Sequence, residues 1–150
     1  MEVSFLTLDS IECVASARHL LGMIDLTTTV LGVPVMDYQH RSLLELINLL
    51  GTGGNSTGVI AGFQAYAERH FVVEESLMEA YGYPGRDAHV AAHDAYRKRF
   101  AGLLAPALSG SPVLTRTMHR FLEQWWVEHI GHVDRELAEF LQSKGIRDAA

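Results

Sequence analysis

The chain has 150 residues, enough for one domain with a sizeable core. Nearly half of the residues (48%) are apolar and the net charge is −6, which argues against disorder and against a surface for nucleic acid or anionic membranes. The single cysteine, Cys13, excludes an internal disulfide and a CxxC zinc site. The N-terminus lacks a signal-peptide pattern and no apolar stretch is long enough to span a bilayer, so we expect a cytoplasmic protein.

The N-terminal part of the chain is predicted to contain one short helix. Residues 9–22 place apolar side chains at helical spacing after a capping-box-like pair. The β-branched run at residues 27–30 disfavours helix and predicts an extended segment. We therefore interpret residues 1–23 as an N-terminal helical extension and residues 24–150 as the main domain.

Four longer helices are predicted in the main domain. Clusters of glycine, proline and serine separate four segments of helical periodicity, which cover about residues 35–50, 56–81, 86–107 and 112–144. Helices of these lengths joined by short loops predict an all-α, up-down-up-down antiparallel four-helix bundle.

Histidines and carboxylates recur at helical spacings in all four long segments. Pairs four residues apart lie on one face of a helix, one turn from each other. A single pair of this kind is common by chance, but a set spread over four successive helices is not. Imidazole and carboxylate together suit iron, manganese or zinc. The candidate metal ligands are His40, His70, Glu74, His89, His93, His129 and Asp134.

The composition of this donor set predicts an asymmetric centre for two metals. If both carboxylates bridge and an oxo or hydroxo group is added, three histidines complete one six-coordinate metal. The remaining two histidines leave the other metal five-coordinate. Such a vacancy is a site for a small molecule.

One carboxylate in the set has an ambiguous position. Asp134 follows His129 by five residues, which is about 140° around an ideal helix. A bridging role would need a local bulge or a displaced side chain. His132, three residues after His129, is nearer to the same face, so spacing alone leaves Asp134 and His132 as alternatives.

Several motifs are similar to those of bacteriohemerythrins, the single-domain prokaryotic hemerythrins. The resemblance covers about residues 24–142 and fills all seven ligand positions, including the five-residue step that favours Asp134 over His132. The matching stretches are Asp37-Tyr38-Gln39-His40 for DxQH, His70 to Glu75 with Met78 for HFxxEExxM, Tyr83-Pro84 with His89 and His93 for the YP turn and HxxxH, and Trp125, His129-Ile130 and Asp134 for WxxxHIxxxD.

The resemblance implies a non-heme diiron protein that binds O2 reversibly at one iron, as a carrier, store or buffer and not as an enzyme. It assigns three histidines to the full iron, two to the iron with the vacancy, and both carboxylates to bridges. NO and small anions such as azide are further candidate ligands, and the oligomeric state stays open. The ligands of the full iron would be His89, His93 and His129, those of the open iron His40 and His70, and the bridges Glu74 and Asp134.

The chain departs from the family pattern at the expected O2 pocket and in the segment before the first long helix. Trp126 stands where a leucine usually lines the pocket, and a tryptophan usually found near Asp25 is missing. Trp126 and Ile130 are therefore candidate pocket residues, although Trp126 can equally pack against a neighbouring helix. Two other functions stay open: an O2 or redox sensor that signals through the N-terminal segment, and a diiron peroxidase or oxidase.

The remaining polar and aromatic residues carry weaker expectations. Glu75 is expected to face solvent, and Gln39 either supports the metal site or is exposed. Tyr66 or Tyr96 is a candidate hydrogen-bond donor in the core. The other histidines are expected at the surface or behind the ligands, and four apolar side chains are expected in the core. These are His19, His119 and His132, and Phe71, Met78, Phe121 and Trp125.

Overall fold

The computed structural model describes residues 30–53 and 55–147. The predicted helix at residues 9–22, the extended segment before Val30 and Cys13 lie outside the described residues. The described part is an all-α bundle, and no strand occurs in it. Its helices are α1 (Pro34–Gly51), α2 (Ser56–Tyr81), α3 (Arg86–Leu108), α4 (Pro112–Trp125) and α5 (Asp134–Ser143), with a π-helical segment, Trp126–Val133, that joins α4 to α5.

The helices pack in the predicted up-down-up-down order. Helix α1 packs against α2 and α4, and α3 packs against the same two helices. The fourth rod of the bundle is the continuous run of α4, the π-helical segment and α5. Aliphatic side chains of α1, including Leu43, Leu44 and Ile47, are fully buried between the rods. The predicted four-helix bundle is confirmed.

The helix boundaries follow local chemistry. The Asn55 side chain accepts a hydrogen bond from the Gly58 N–H (3.1 Å) and so caps the start of α2. Gly82 ends α2 in a left-handed conformation (φ 65°) that disfavours residues with a Cβ. Ser111 precedes α4, and its side chain forms no capping hydrogen bond. Pro106 lies inside α3, which continues to Leu108.

The segment that leads into α1 is fastened at the end of the bundle where α5 stops. Both Asp37 carboxylate oxygens accept backbone N–H groups, from Leu31 (2.6 Å) and Gly32 (2.9 Å). The Gln142 side chain donates a hydrogen bond to the Leu31 carbonyl. These contacts fix the direction in which the chain enters α1, and with it the position of the first predicted ligand.

No helix in the described ranges, 30–53 and 55–147, is long and apolar enough to cross a bilayer.

Candidate dimetal centre

All seven predicted ligands lie together in the interior of the bundle. They come from all four rods, and the most exposed of them, His129, retains only 4% of its surface. Burying ionisable groups lowers the stability of a protein unless the groups are paired or bind a metal. A buried cluster of seven therefore indicates a functional site. The buried cluster contains His40 of α1, His70 and Glu74 of α2, His89 and His93 of α3, His129 of the π-helical segment and Asp134 of α5.

The cluster divides into two groups of donors that share both carboxylates. One group contains His40 and His70, and the other contains three histidines, namely His89, His93 and His129. Glu74 and Asp134 belong to both groups. Within each group the potential ligand atoms lie within 4.8 Å of one another. The arrangement is therefore that of two adjacent metal positions with carboxylates between them.

Each oxygen of Asp134 faces a different group. Its Oδ1 lies 3.0 Å from His129 Nε2 and 3.2 Å from His89 Nε2, while its Oδ2 lies 3.1 Å from His40 Nε2 and 3.8 Å from His70 Nε2. One oxygen of this side chain is therefore available to each group of histidines.

Glu74 has the same orientation from the opposite helix. Its Oε1 lies 3.3 Å from His70 Nε2 and 3.9 Å from His40 Nε2. Its Oε2 lies 3.1 Å from His93 Nε2 and 3.4 Å from His89 Nε2. Both carboxylates thus present one oxygen to each group of histidines.

The π-helical segment explains how Asp134 reaches the cluster. The backbone N–H of Asp134 donates to the carbonyl of His129, a step of five residues instead of the four of an α-helix. The wider turn brings Asp134 almost above His129 on the same face. His132, the alternative by α-helical spacing, is exposed. The bulge that the sequence required for Asp134 is present.

Two of the histidines are oriented from behind by side chains of the neighbouring helices. The Nδ1–H of His70 donates to Gln39 Oε1 (3.1 Å), and the Nδ1–H of His93 donates to Glu75 Oε1 (2.9 Å). Because both acceptors lack a proton to give, each ring carries a hydrogen on Nδ1, and Nε2 is left as the nitrogen that faces the centre. This selects the tautomer that a metal requires.

The expectation that Glu75 faces solvent was wrong. Its carboxylate bridges His93 and Arg97, whose guanidinium lies 3.3 Å from Glu75 Oε1. Arg97 also pairs with Glu68 (3.0 Å) and Asp94 (2.9 Å). The reason for the error is that both partners of Glu75 lie on α3, and a helical wheel of α2 alone does not contain them. Gln39, the open case, is buried against the cluster.

The polar atoms at the centre are incompletely satisfied by the protein. Within the described ranges, His40 Nε2, His70 Nε2, His89 Nε2, His129 Nε2, Glu74 Oε1 and both oxygens of Asp134 are buried without a hydrogen-bond partner. They approach one another at 3.0–3.9 Å without hydrogen-bond alignment. Buried polar groups almost always have partners, so these converging lone pairs fit metal ions.

The pKa shifts of the clustered side chains also favour a bound cation. Burial lowers the pKa of His89, but the nearby carboxylates of Asp134 and Glu74 outweigh it and raise the pKa to about 9. Burial raises the pKa of Asp134, yet the surrounding imidazoles, His129 first, hold it well below its usual value. The carboxylates therefore stay ionised and favour the protonated form of the His89 imidazole. Metal cations bound at the centre would replace that proton.

Aromatic side chains enclose the cluster. The Phe71 ring stacks on His93 (centroids 4.0 Å apart), and Trp125 stacks on His129 (5.2 Å, 16° between planes). Trp126 meets the other group, edge to face with His40 at 5.9 Å. Ile130 is also buried. The two adjacent tryptophans therefore face different halves of the centre, which their sequence positions alone did not separate.

Expectations for the remaining residues had mixed outcomes. Phe71, Met78 and Trp125 are buried as expected, whereas Phe121 is only partly buried. Tyr96 is buried, but its hydroxyl finds no partner among the described residues, so a hydrogen bond into the core is not formed. His119 is half-buried and lies 3.5 Å from Glu123. His19 lies outside the described residues.

Comparison with known families gives a match over most of the domain. The sequence model of the hemerythrin HHE cation-binding domain matches residues 31–141. This range contains all seven residues of the buried cluster.

Individual relatives are about 30% identical to this chain over the aligned residues. A bacteriohemerythrin of Stenotrophomonas maltophilia (strain R551-3) is 31% identical over 115 residues, which is 73% of this chain and 74% of that protein. A bacteriohemerythrin of Pseudomonas paraeruginosa (strain DSM 24068 / PA7) is 30% identical over 140 residues, 84% of this chain and 89% of that protein. A hemerythrin of Siphonosoma cumanense is 33% identical over 101 residues, 66% and 76% of the respective chains.

Proposed function

Since the chain belongs to the hemerythrin HHE cation-binding domain family, we propose that it holds two iron ions and binds O2 reversibly at one of them. The observation that carries this proposal is the pair of carboxylates, Glu74 and Asp134, shared by two unequal groups of histidines. Unequal groups support two metals with different numbers of open positions. O2 carriage, storage or buffering needs one such open position.

The two metals would be held unequally. His89, His93 and His129 would bind the first ion, and His40 and His70 the second, with both carboxylates binding each. With both carboxylates shared, the ion bound by three histidines has a more complete set of protein ligands than the ion bound by two. The second ion, on the side of α1 and α2, is the proposed position for O2.

Iron bound there would supply one electron from each ion and an open coordination position. The protein would keep the position dry and selective. Trp126 is 2% exposed and its ring edge lies against His40, so it occupies space beside the proposed O2 position. Buried apolar side chains, with Ile130 among them, would exclude water and anions that promote oxidation.

Two competing functions differ from this proposal in defined ways. A diiron oxidase or peroxidase would use the same open position, but ferritin-like catalysts have more carboxylates than the two in this cluster. A sensor would transmit the state of the metals through residues 1–23, which we propose as an extension because the family match begins at residue 31. We propose a cytoplasmic location.

The proposal is tested by absorption spectroscopy of the iron-loaded protein. The protein is reduced without air, O2 is admitted, and the visible spectrum is recorded over time and after deoxygenation. We expect a ligand-to-iron charge-transfer band that appears with O2, disappears when O2 is removed, and returns over several cycles. The same protein without metal is the control and should show no band.

Three outcomes would contradict the proposal. Rapid, complete oxidation without a band that disappears on deoxygenation would exclude reversible binding. Turnover of peroxide with a reducing substrate at rates well above those of free iron would support an enzyme instead. An iron-to-protein ratio near one would contradict the two-metal centre itself.

Replacing Trp126 with leucine is expected to open the proposed O2 pocket. Leucine leaves unfilled volume beside His40, so azide should bind several-fold faster and the reduced protein should oxidise faster in air. The buried cavity should cost about 1–3 kcal/mol of stability. Stopped-flow absorbance measures both rates. Trp125→Leu is the matched comparison, because Trp125 packs against His129 in the other group. Equal changes of these rates in both variants would contradict the placement of Trp126 in the pocket.

A further inference from the structure

A second concave site lies on the outer face of the bundle, between α3 and α4. This α3/α4 groove has a volume of about 610 Å³, within the range of small-molecule pockets. Its floor is aromatic, with Tyr96, Phe121 and Trp125. On the α3 side the groove is lined by the small side chains of Ala92 and Ala95, which leave space above the helix backbone. An apolar body several carbon atoms long would therefore fit between the two helices.

The charges along the groove are distributed unevenly. Arg99 lies nine residues before the end of α3 and Arg120 eight residues after the start of α4. Because a three-residue turn joins these antiparallel helices, both arginines stand at the same height on opposite walls. Glu128, in the π-helical segment that continues α4, lies about 12 Å further along the rod from Arg120, at a rise of about 1.5 Å per residue. One end of the groove is thus cationic and the other carries an acid.

The two arginines are free to meet a ligand. Within the described ranges neither Arg99 nor Arg120 forms an ion pair, whereas Arg86 and Arg97 of α3 and His119 of α4 do. Both arginines are exposed. Lys98 adds a positive charge in the shallow depression that adjoins the groove beside Arg99. In a protein with a net charge of −6, this concentration of cations is a local exception.

The floor also contains polar groups without partners. The Tyr96 hydroxyl and the Trp125 indole N–H are buried, and neither forms a hydrogen bond within the described ranges. The rings are neighbours, with centroids 4.7 Å apart. Buried tyrosine and tryptophan usually satisfy these groups, so the packing beneath the groove leaves two polar groups unsatisfied.

We propose that the α3/α4 groove binds an amphipathic carboxylate, with its head between Arg99 and Arg120 and its apolar body over Phe121 and Trp125. Guanidinium groups bind carboxylates through paired, charge-assisted hydrogen bonds. The acid Glu128 repels a second anionic group and so sets the direction of the ligand. An extended chain of about eight carbon atoms covers the distance between the arginines and Glu128.

The groove is separate from the proposed O2 position but contacts the other half of the centre. Trp125 forms part of the groove floor and stacks on His129. His129 itself lines the inner end of the groove. A ligand in the groove therefore touches the ring that packs on a proposed metal ligand, on the side opposite to Trp126. Binding in the groove needs no metal, so it is tested independently of O2 binding.

The test is calorimetric titration of the full chain with octanoate, below the concentration at which it forms micelles. Three related probes separate head from body: acetate has the head alone, octan-1-ol the neutral body, and octylamine a body with the opposite charge. We expect octanoate to bind at least tenfold more tightly than each of them, and to bind more weakly at high salt. Fluorescence of Trp126→Phe, whose only tryptophan is Trp125, locates the binding.

Paired variants distinguish this groove from the rest of the surface. The double change Arg99→Gln/Arg120→Gln should weaken octanoate binding at least tenfold, while Arg41→Gln/Arg69→Gln removes the same charge from exposed positions of α1 and α2 and should change it less than twofold. Ala95→Leu fills the groove and should also weaken binding.

Ala91→Leu is the control for Ala95→Leu, because it makes the same change one turn earlier on α3, outside the groove. Circular dichroism checks that each variant is folded. Absence of octanoate binding by the unmodified protein, equal binding of octan-1-ol, or equal loss in the control pairs would each overturn the proposal.

Discussion

Replacing Glu74 with alanine is expected to remove metal from both halves of the centre. Glu74 presents one oxygen to His70 and the other to His93, and it belongs to both groups of donors. Losing it takes one ligand from each proposed metal position and leaves Asp134 as the one carboxylate that the two groups share. We expect less than one iron per chain after desalting against a chelator, measured by elemental analysis with the protein concentration determined separately.

Three comparisons make this expectation specific. His89→Ala removes a donor from one group alone and should spare the metal held by His40 and His70. Glu75→Ala removes no proposed ligand but removes the hydrogen bond behind His93 and an ion pair with Arg97. Loss of such a hydrogen bond weakens metal binding by roughly 10–100-fold. Glu79→Ala changes an exposed carboxylate on the same helix and should retain the full metal content. Retention of both metals in folded Glu74→Ala would refute the bridging role.

Replacing Phe71 with alanine is expected to cause a large loss of stability even without metal. Phe71 is fully buried, stacks on His93, and meets Tyr96 and Trp125 edge to face at 5.3 and 5.9 Å. Arg97 lies over its ring at 5.1 Å. Truncating a buried phenylalanine costs about 3–5 kcal/mol, a large share of the roughly 5–15 kcal/mol typical of a whole domain.

Urea denaturation of the metal-free protein measures this loss, because metal binding would otherwise add to the free energy of unfolding. The midpoint should fall with little change in the slope. Val72→Ala, at the next position on the exposed side of α2, should change stability by less than about 0.5 kcal/mol. Phe71→Leu should recover much of the loss. A cost below about 1 kcal/mol for Phe71→Ala would contradict the placement of this ring at the centre of the core.

The spacing of the ligands on α2 and α3 could be interpreted without a structure. Four-residue steps between His70 and Glu74 and between His89 and His93 correspond to about one α-helical turn, and both helices are regular there. Local periodicity was therefore enough to place both side chains of each pair on one face. The bundle topology followed for a similar reason, since short turns allow only antiparallel neighbours.

Asp134 shows where local periodicity failed. By α-helical geometry it points away from His129, and the resemblance to a family was needed to prefer it over His132. The π-helical segment from Trp126 to Val133 resolves the conflict by widening one turn. A wider turn has a poorer intrinsic geometry, so it persists only where the surrounding packing favours it. Propensity within the segment does not predict it.

The sequence by itself determined the helices, their order, and the set of side chains with the chemistry to hold metals. These properties depend on residue type and on spacing along one helix. The tertiary structure decided which oxygen of each carboxylate meets which histidines, that Glu75 and Gln39 orient His93 and His70, and that Trp125 and Trp126 face opposite halves of the centre. It also decided the α3/α4 groove, because a space between two helices depends on how closely and in what register they pack, and neither helix encodes that alone.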